Sequence, residues 1–252
     1  MPTQLALVLF DHTPVIDTAV LLDGLASHWP GLAQPSELKD EQGSMTFMMD
    51  EIIVGIGLIE APVPWADLEP PCRDSKLWSG ATEALRGHAG HAIVSVLGEA
   101  SPIALATALT RVTAALLLAC RQAVGVYWNT ARMVVQPELF RRVAIEVLND
   151  EPPVMIWIDF QVGWREYRVN SAGYTRGLAQ FGLNDFETLD APEKPSQLRA
   201  RLEALAAYQL KTGGAVRDRD SIGQDSRERI QVIRGPSTFG VDGPVMRLVY
   251  QR

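Results

Sequence analysis

Cysteine is scarce in this sequence: among 252 residues only Cys72 and Cys120 occur, and they lie far apart. Two isolated cysteines provide neither a disulfide framework nor a cysteine-type zinc site, whose ligands recur at short spacings. The first ten residues, MPTQLALVLF, also lack the basic start and the small-residue cleavage site of a secretory signal. The sequence therefore predicts a cytoplasmic protein with reduced thiols.

Basic residues are outnumbered by acidic ones, 23 against 30, which gives a formal net charge of −7. Affinity for nucleic-acid phosphates comes mainly from lysine and arginine, so duplex nucleic acid is not a predicted partner. The acidity suits a basic protein partner, although a moderate negative charge also serves solubility. With 47% apolar and 21% charged residues, the chain has the composition of a soluble globular protein.

Long apolar runs are also rare. The one run long enough to span a bilayer is IALATALTRVTAALLLAC, residues 103–120. Arg111 lies near its centre, where an arginine costs about 2.5–3.5 kcal/mol on insertion scales. Alanine and leucine around the whole circumference suit a helix buried between layers of a soluble protein. The sequence therefore predicts a buried helix and no membrane partner.

Hydrophobic periodicity predicts alternating strands and helices in the first part of the chain. The order is β-α-β-β-α-β, with these ranges: strand 5–10, helix 15–29, strands 44–49 and 52–59, helix 74–87, and strand 91–98. This order is the signature of a ferredoxin-like α/β sandwich, an antiparallel or mixed sheet with helices on one face.

The sequence after the apolar helix predicts a similar alternation of strands and helices. Its elements are strand 123–129, helix 137–148, strands 153–162 and 165–171, helix 195–214, and strands 229–235 and 245–250. We therefore predict an α+β protein of two ferredoxin-like-type halves, residues 1–100 and 101–252, joined by the apolar helix. The charged segment 211–229 lacks an apolar period and is predicted to be an exposed loop and a candidate contact surface.

Three glycines lie in the stretch GYTRGLAQFGLNDFET, residues 173–188. The stretch contains neither the GxGxxG pattern of dinucleotide sites nor the lysine-ended loop of phosphate sites. Glycines in strand-rich regions mark bends or places where backbones approach closely. We therefore interpret the stretch as a structural corner of a sheet.

Part of this stretch, TRGLAQFGLNDFE, resembles a T-x-G-[LM]-x-x-[FL]-G-x-x-E/D-x-E pattern of the bacterial domain of unknown function 4261 family. The later DRDSIGQDSRERIQVIRGPS resembles that family's D-G-D-[ST]-[IL]-G stretch, followed by a strand and a serine. HAGHAIVSVLG and VGVYWN also fit the family, so the resemblance spans about two thirds of the chain. It implies a bacterial origin and a fold, and it carries no activity.

The matching positions are predicted structural residues: Thr175, Gly177, Phe181, Gly182 and Glu187. One position departs from the pattern, because Arg219 stands where the family pattern has glycine. This departure argues against a special backbone conformation in the turn from Asp218 to Gly223.

Three residues are candidates for acid–base chemistry. Asp11 and His12 follow the first strand, where ligands often bind in open α/β sheets, and a carboxylate beside a histidine orients a general base. The alternative is that Asp11 caps the next helix or turn. His88 is the third candidate; it and His91 have a metal-like spacing, but Gly87 and Gly90 interrupt any helix there, so no metal site is predicted. The serines lack a nucleophile elbow, and Cys72 has no base nearby in sequence.

Aromatic and basic residues alternate around residues 157–176, a pattern typical of interfaces and of single-strand nucleic-acid platforms. Strand alternation also places some of them in the core. The candidate binding residues are Trp164, Tyr167, Arg168, Tyr174 and Arg176, with Arg217 and Arg219 in the charged loop. The face around 157–174 also makes a homodimer a possible arrangement.

The leading hypothesis is a protein-binding module without enzymatic activity or cofactor, of the kind that neutralises a secreted bacterial toxin as an immunity protein does. The alternative is a hydrolase that uses Asp11, His12 or His88 in a cleft between the halves. The first hypothesis predicts a protein partner, and the second predicts a polar pocket where those side chains converge.

Overall fold

The computed structural model describes residues 2–12, 14–41, 43–165, 169–223 and 229–251. The chain divides into two compact units, Met1–Ile156 and Trp157–Arg252.

The first unit is built on a seven-stranded sheet in which each strand runs antiparallel to its neighbours. Its strands, in chain order, are β1 (Thr3–Phe10), β2 (Ser36–Glu41), β3 (Ser44–Met49), β4 (Ile52–Ile59), β5 (Gly90–Leu97), β6 (Ala123–Trp128) and β7 (Met133–Val135). They lie in the order β2-β3-β4-β5-β1-β6-β7. Strands β3 and β5 bury every second residue, as expected where one face of a sheet meets the core.

The helices of this part of the chain are α1 (Thr18–His28), α2 (Trp65–Asp74), α3 (Ala81–Leu85), α4 (Pro102–Ala119), α5 (Pro137–Glu146) and α6 (Val154–Trp157). Helix α4 begins with a proline behind Ser101, whose hydroxyl accepts a hydrogen bond from the Ala104 N–H at 3.2 Å. It packs against α1, α5 and β1, and most of it is buried.

By length and composition alone, α4 qualifies as a membrane span. In the fold it is a core helix of the first unit. Arg111 lies half-buried on it, with its guanidinium 5.9 Å from the centre of the Trp29 ring. Burial lowers the pKa of Arg111, since desolvation disfavours its charged form.

The second unit is a six-stranded mixed sheet with one long helix. Its strands are β8 (Asp159–Trp164), β9 (Ser171–Arg176), β10 (Asp185–Ala191), β11 (Ser221–Ile222), β12 (Ile230–Pro236) and β13 (Pro244–Tyr250), in the order β11-β12-β13-β10-β9-β8. Strands β10 and β13 are parallel, and the other given pairs are antiparallel. Helix α7 (Pro195–Thr212) packs on β8 and β9 through an apolar stripe: Leu198, Leu202, Ala206 and Leu210.

The predicted α+β class with two sheets is confirmed, but the strand order within the first unit differs from the prediction. The third and fourth strands of the predicted order, β4 and β5, pair directly, so they are not split as in a ferredoxin-like sheet. The sheet also contains β2, whose residues are all exposed and therefore show no hydrophobic period.

The division between the units lies later than the predicted boundary near residue 100. Strand β6, which follows α4, returns to the first sheet and pairs with β1 from Ala6↔Trp128 onward. Helix α4 therefore belongs to the first unit and does not join two halves. Two local predictions also differ from the structure. The helix predicted at 74–87 is only the short α3, and a helix that was not predicted, α2, precedes it with Pro70 and Pro71 inside. Residues 154–157 are helical where a strand was predicted.

Candidate functional site

The glycine corner of the second unit is organised around one buried carboxylate, Asp185. Its Oδ1 accepts hydrogen bonds from the Thr175 hydroxyl at 2.7 Å and from the Leu178 N–H at 3.1 Å, and its Oδ2 accepts one from the Gly177 N–H at 3.3 Å. The Thr175 hydroxyl in turn accepts the Phe186 N–H at 2.9 Å. The donors of the corner thus converge on a carboxyl group of the protein itself.

Burial raises the pKa of Asp185, because desolvation outweighs the hydrogen bonds from Thr175 and from the corner amides. These hydrogen bonds act in the opposite direction, since they favour the ionised form. The three donors are a hydroxyl and two backbone N–H groups, all of them neutral, and no described residue forms an ion pair with Asp185.

The three glycines of the corner serve its shape, as the sequence predicted. A Cβ on Gly173 would lie 2.6 Å from the Gln161 carbonyl oxygen on β8, so a side chain there is excluded by a neighbouring strand. Gly177 and Gly182 have φ values of 129° and 72°, which favour glycine. Between them Phe181 packs on Trp157, with ring centres 5.3 Å apart.

A second buried carboxylate, Glu187, lies two residues further along β10 and holds a loop. Its Oε1 pairs with the Arg247 guanidinium, at 2.8 Å from Nε and 2.7 Å from Nη2. Its Oε2 accepts the Ser237 hydroxyl at 2.9 Å and the Thr238 N–H at 3.0 Å. We call Glu187, Arg247, Ser237 and Thr238 the clamp.

The clamp uses Ser237 for structure. While its hydroxyl donates to Glu187, its oxygen accepts the N–H groups of Phe239 at 3.1 Å and Val241 at 3.2 Å. Arg247 also donates to the Pro236 carbonyl at 3.0 Å. These bonds fix the segment after β12 on the sheet, and the Ser237 oxygen has no open position for attack on a substrate in this arrangement.

A stack of three side chains lies beside the clamp. The Tyr174 and Phe239 rings are stacked with centres 5.1 Å apart, and the Arg176 guanidinium lies 5.5 Å from the centre of the Tyr174 ring. The clamp also bonds the backbone that carries Phe239, because the Phe239 N–H donates to the Ser237 hydroxyl oxygen. Arginine and tyrosine side chains are enriched at protein interfaces.

The stack belongs to one face of the sheet, which we call the clamp face. Direct cross-strand pairing puts a row of residues on it: Gln161, Tyr174, Glu187, Arg247 and Ile233. Helix α7 covers the other face, where Arg199 lies 5.3 Å from the centre of the Phe160 ring. Gln161, Tyr174 and Ile233 keep part of their surface accessible on the clamp face.

The structure separates the predicted binding residues. Trp164 is exposed, but its position on β8 puts it on the same face as Phe160, opposite Tyr174 and Arg176. The predicted aromatic surface is therefore divided between two faces by strand alternation. Tyr167 and Arg168 lie outside the described residues.

Arg217 and Arg219 lie in a turn that is bonded to β12. The Arg217 N–H donates to Asp220 at 2.7 Å, and the Arg219 N–H donates to the Val232 carbonyl at 2.8 Å. Arg219 has a φ of 69°, a left-handed conformation. The expectation that this turn is ordinary was wrong: it has the glycine-type conformation even though arginine occupies the position.

Asp11 and His12 form an exposed pair at the end of β1, with 2.7 Å between His12 Nδ1 and Asp11 Oδ1. Asp11 also accepts the His12 N–H at 2.7 Å, whereas the cap of α1 is Asp17, which accepts the Val20 N–H at 3.1 Å. Asp11 therefore does not cap the next helix, whereas its bond to the His12 N–H lies in the bend after β1 and agrees with the other part of that alternative, a role in the turn.

His88 is buried, and both of its ring nitrogens are used by the backbone. Nε2 accepts the Val63 N–H at 2.9 Å, so Nδ1 carries the proton and donates to the Leu85 carbonyl at 2.7 Å. The ring therefore has no free nitrogen for acid–base chemistry in this arrangement. His91 bonds separately to the Ala61 carbonyl at 2.8 Å.

Both cysteines are buried, and burial raises the pKa of each thiol to about 11. Thiols with such a pKa are protonated near neutral pH and react slowly. Among the residues that the structure describes, no group of three histidine, cysteine or acidic side chains is placed to hold a metal ion.

The chain is thus an α+β protein in which Asp185 is hydrogen-bonded to a corner of the sheet and Glu187 to the loop after β12. Residues 174–249 match the family model described as Domain of unknown function (DUF4261), which confirms the resemblance for this part of the chain; the match does not include the earlier segments HAGHAIVSVLG and VGVYWN. No curated protein and no solved structure shows significant similarity to the chain.

Three important residues were not among the predicted site residues: Asp185, Ser237 and Arg247. The first two lie at positions of the family pattern, so the pattern itself was the available signal. Arg247 pairs with an acid sixty residues earlier, and no local sequence feature marks that partnership.

Proposed function

We propose that this protein is a cytoplasmic, non-enzymatic protein-binding module, of the kind that neutralises a secreted bacterial toxin by binding it. The observation that carries the proposal is the clamp face of the second unit. It presents the Arg176–Tyr174–Phe239 stack and, further along the same cross-strand row, the exposed Ile233; arginine and tyrosine are enriched at the centres of protein interfaces.

The hydrogen bonds that Asp185 and Glu187 accept within the protein support a binding role. Asp185 and Glu187 are committed to the corner and the clamp, and Ser237 is committed to the clamp. A surface whose side chains are already ordered loses less entropy when it binds. The net charge of −7 adds a long-range attraction for a basic partner.

The test uses the tagged full-length protein as bait in an extract of the source cells and against the purified products of adjacent genes. We expect one partner to be recovered at a stoichiometric ratio. The clamp-face variant Ile233→Glu should weaken the complex by roughly tenfold or more, as expected for a central interface residue. Tyr208→Glu, an equivalent change at an exposed position on α7, should leave binding unchanged.

Two outcomes would contradict the proposal. One is equal loss of binding in both variants, which would show that the clamp face is not the contact surface. The other is the absence of a partner together with turnover in esterase, phosphatase or nuclease assays, which would favour the hydrolase alternative.

A further inference from the structure

A groove of about 840 Å³ opens in the first unit where the β2–β3 hairpin meets the chain before α1. Its volume lies in the range of about 300–1,000 Å³ that is typical of ligand-binding clefts. The half-buried Leu58 contributes apolar surface to it over the buried core residue Met45, and Val15 and Ile16 line it from the chain before α1.

The walls of this groove are tied together. The Thr18 hydroxyl at the start of α1 donates a hydrogen bond to the Asp40 carboxylate at the end of β2. Val15 stands beside this contact with 93% of its surface exposed. A valine so fully exposed next to an apolar floor is surface that a partner can bury, at about 25 cal/mol per Å² of apolar area.

The charge along the groove has one sign. Its described lining contains the carboxylates Asp40, Glu41 and Glu60, and no lysine or arginine. Glu41 and Glu60 form no ion pair with a described residue. Among the described residues no group of three acids is placed to hold one metal ion, whereas a segment with several basic side chains can match carboxylates that are spread along the groove.

We propose that this groove binds an extended cationic segment of a partner protein, with basic side chains on Asp40, Glu41 and Glu60 and apolar side chains on Leu58 and Val15. Alternating basic and apolar residues fit, because the side chains of an extended peptide point to opposite sides in turn. This inference goes beyond the proposed function, since it concerns the first unit and uses no residue of the clamp face.

The test measures binding of a fluorescein-labelled Lys-Val-Lys-Val-Lys-Val-Lys peptide to the full-length protein by fluorescence anisotropy. The comparison variant is Glu41→Gln/Glu60→Gln. The control, Glu51→Gln/Glu99→Gln, removes the same charge from exposed positions that do not line the groove. A Glu-Val-Glu-Val-Glu-Val-Glu peptide serves as the probe of opposite charge.

We expect the lysine peptide to bind and the glutamate peptide not to bind. Two exposed ion pairs at about 0.5–1 kcal/mol each correspond to a loss of about 5- to 30-fold in the groove variant, against less than about twofold in the control. Val15→Ser should weaken binding further without changing the dependence on salt.

Three results of the peptide assay would overturn the inference: no binding of the lysine peptide, equal loss in both double variants, or equal binding of the two peptides. Equal loss would mean that the net charge of the protein attracts the peptide without a site. Concentration-dependent dimerisation in sedimentation that disappears in Glu41→Gln/Glu60→Gln would assign the groove to a second copy, and this also contradicts the proposal. Loss of partner binding in Ile233→Glu has no bearing on it, so the two proposals fail independently.

Discussion

Two stretches of the second unit match the family pattern, and they achieve the same kind of geometry with different residues. In the stretch from Thr175 to Glu187, glycine occupies both positions that require a positive φ. In the turn at 217–223, Arg219 holds a φ of 69° where the pattern has glycine. The difference teaches that surrounding hydrogen bonds, here those of Arg219 and Val232 with their neighbours, maintain a turn against the preference of its residue.

The largest expected loss of stability in the first stretch comes from removing the arginine of the clamp. Arg247→Met leaves the fully buried Glu187 carboxylate without its charge partner, and we expect a loss of about 3 kcal/mol in the unfolding free energy. Urea unfolding followed by tryptophan fluorescence measures it. Arg141→Met, which breaks an exposed pair with Glu138, should cost no more than about 0.5 kcal/mol. Similar losses in the two variants would contradict the clamp.

Asp185→Ala should produce the next largest loss. The Thr175 hydroxyl and the Gly177 and Leu178 N–H groups all lose their acceptor in a buried corner. Unsatisfied buried donors cost about 1–3 kcal/mol, and we expect about 2 kcal/mol in the unfolding free energy. Hydrogen exchange at the amides of 177 and 178 should increase by a similar free energy. Unchanged exchange would show that the carboxylate does not organise the corner.

The pH dependence of stability provides a finer test of Asp185. Its folded-state pKa is raised by burial, so the folded protein binds this proton more tightly than the unfolded chain does. The resulting stabilisation is fully present below the unfolded-state pKa and is lost as the pH rises through the folded-state pKa. The stability advantage of the wild type over Asp185→Asn should therefore decrease as the pH is raised from acid towards neutral.

The control for this measurement is Glu69→Gln, at an exposed position on α2. It should not reproduce the decrease. An advantage of the wild type over Asp185→Asn that grows with pH would contradict the assigned direction of the pKa shift.

The smallest effects, of opposite sign, compare the two stretches directly. Gly182→Ala adds a Cβ with no heavy atom within 4 Å, so its cost of about 1 kcal/mol comes from the backbone alone. Arg219→Gly relieves the same kind of strain and should raise the unfolding free energy by about 0.5–1 kcal/mol, after the greater freedom of glycine in the unfolded chain is included. The Arg219 side chain is 87% exposed and 3.7 Å from Asp218, so its removal costs little. A loss of stability in Arg219→Gly would show that this side chain has a role outside the turn.

Local patterns predicted most of the individual elements. The alternation in 44–49 and 52–59, and the proline at the start of α7, are features that short windows of sequence contain. The exposed strand β2 and the proline-containing helix α2 were missed, because their residues do not have the usual preferences for strand or helix. The pairing of β6 with β1 was also missed, since periodicity identifies a strand but not its neighbour.

The candidate site divides in the same way. The role of the corner glycines followed from local composition, and the structure confirms it with their φ values and close contacts. The clamp depends on Glu187 and Arg247, which the parallel pairing of β10 and β13 brings together. The acidic groove likewise combines residues from 14–16, the β2–β3 hairpin and the end of β4. Contacts between residues so far apart in the sequence cannot be predicted from a short window of neighbouring residues.

The parallel pair β10–β13 also bears on how the protein is made. Glu187 leaves the ribosome sixty residues before Arg247, and the arginine lies in the final strand of the chain. A nascent chain that ends within α7 therefore holds an acid without its cation, next to a sheet that lacks an inner strand. The corner around Asp185 draws all its donors from within ten residues and can close long before the clamp. The Glu187 carboxylate can therefore be paired with its cation only after β13 has been synthesised and has joined the sheet beside β10.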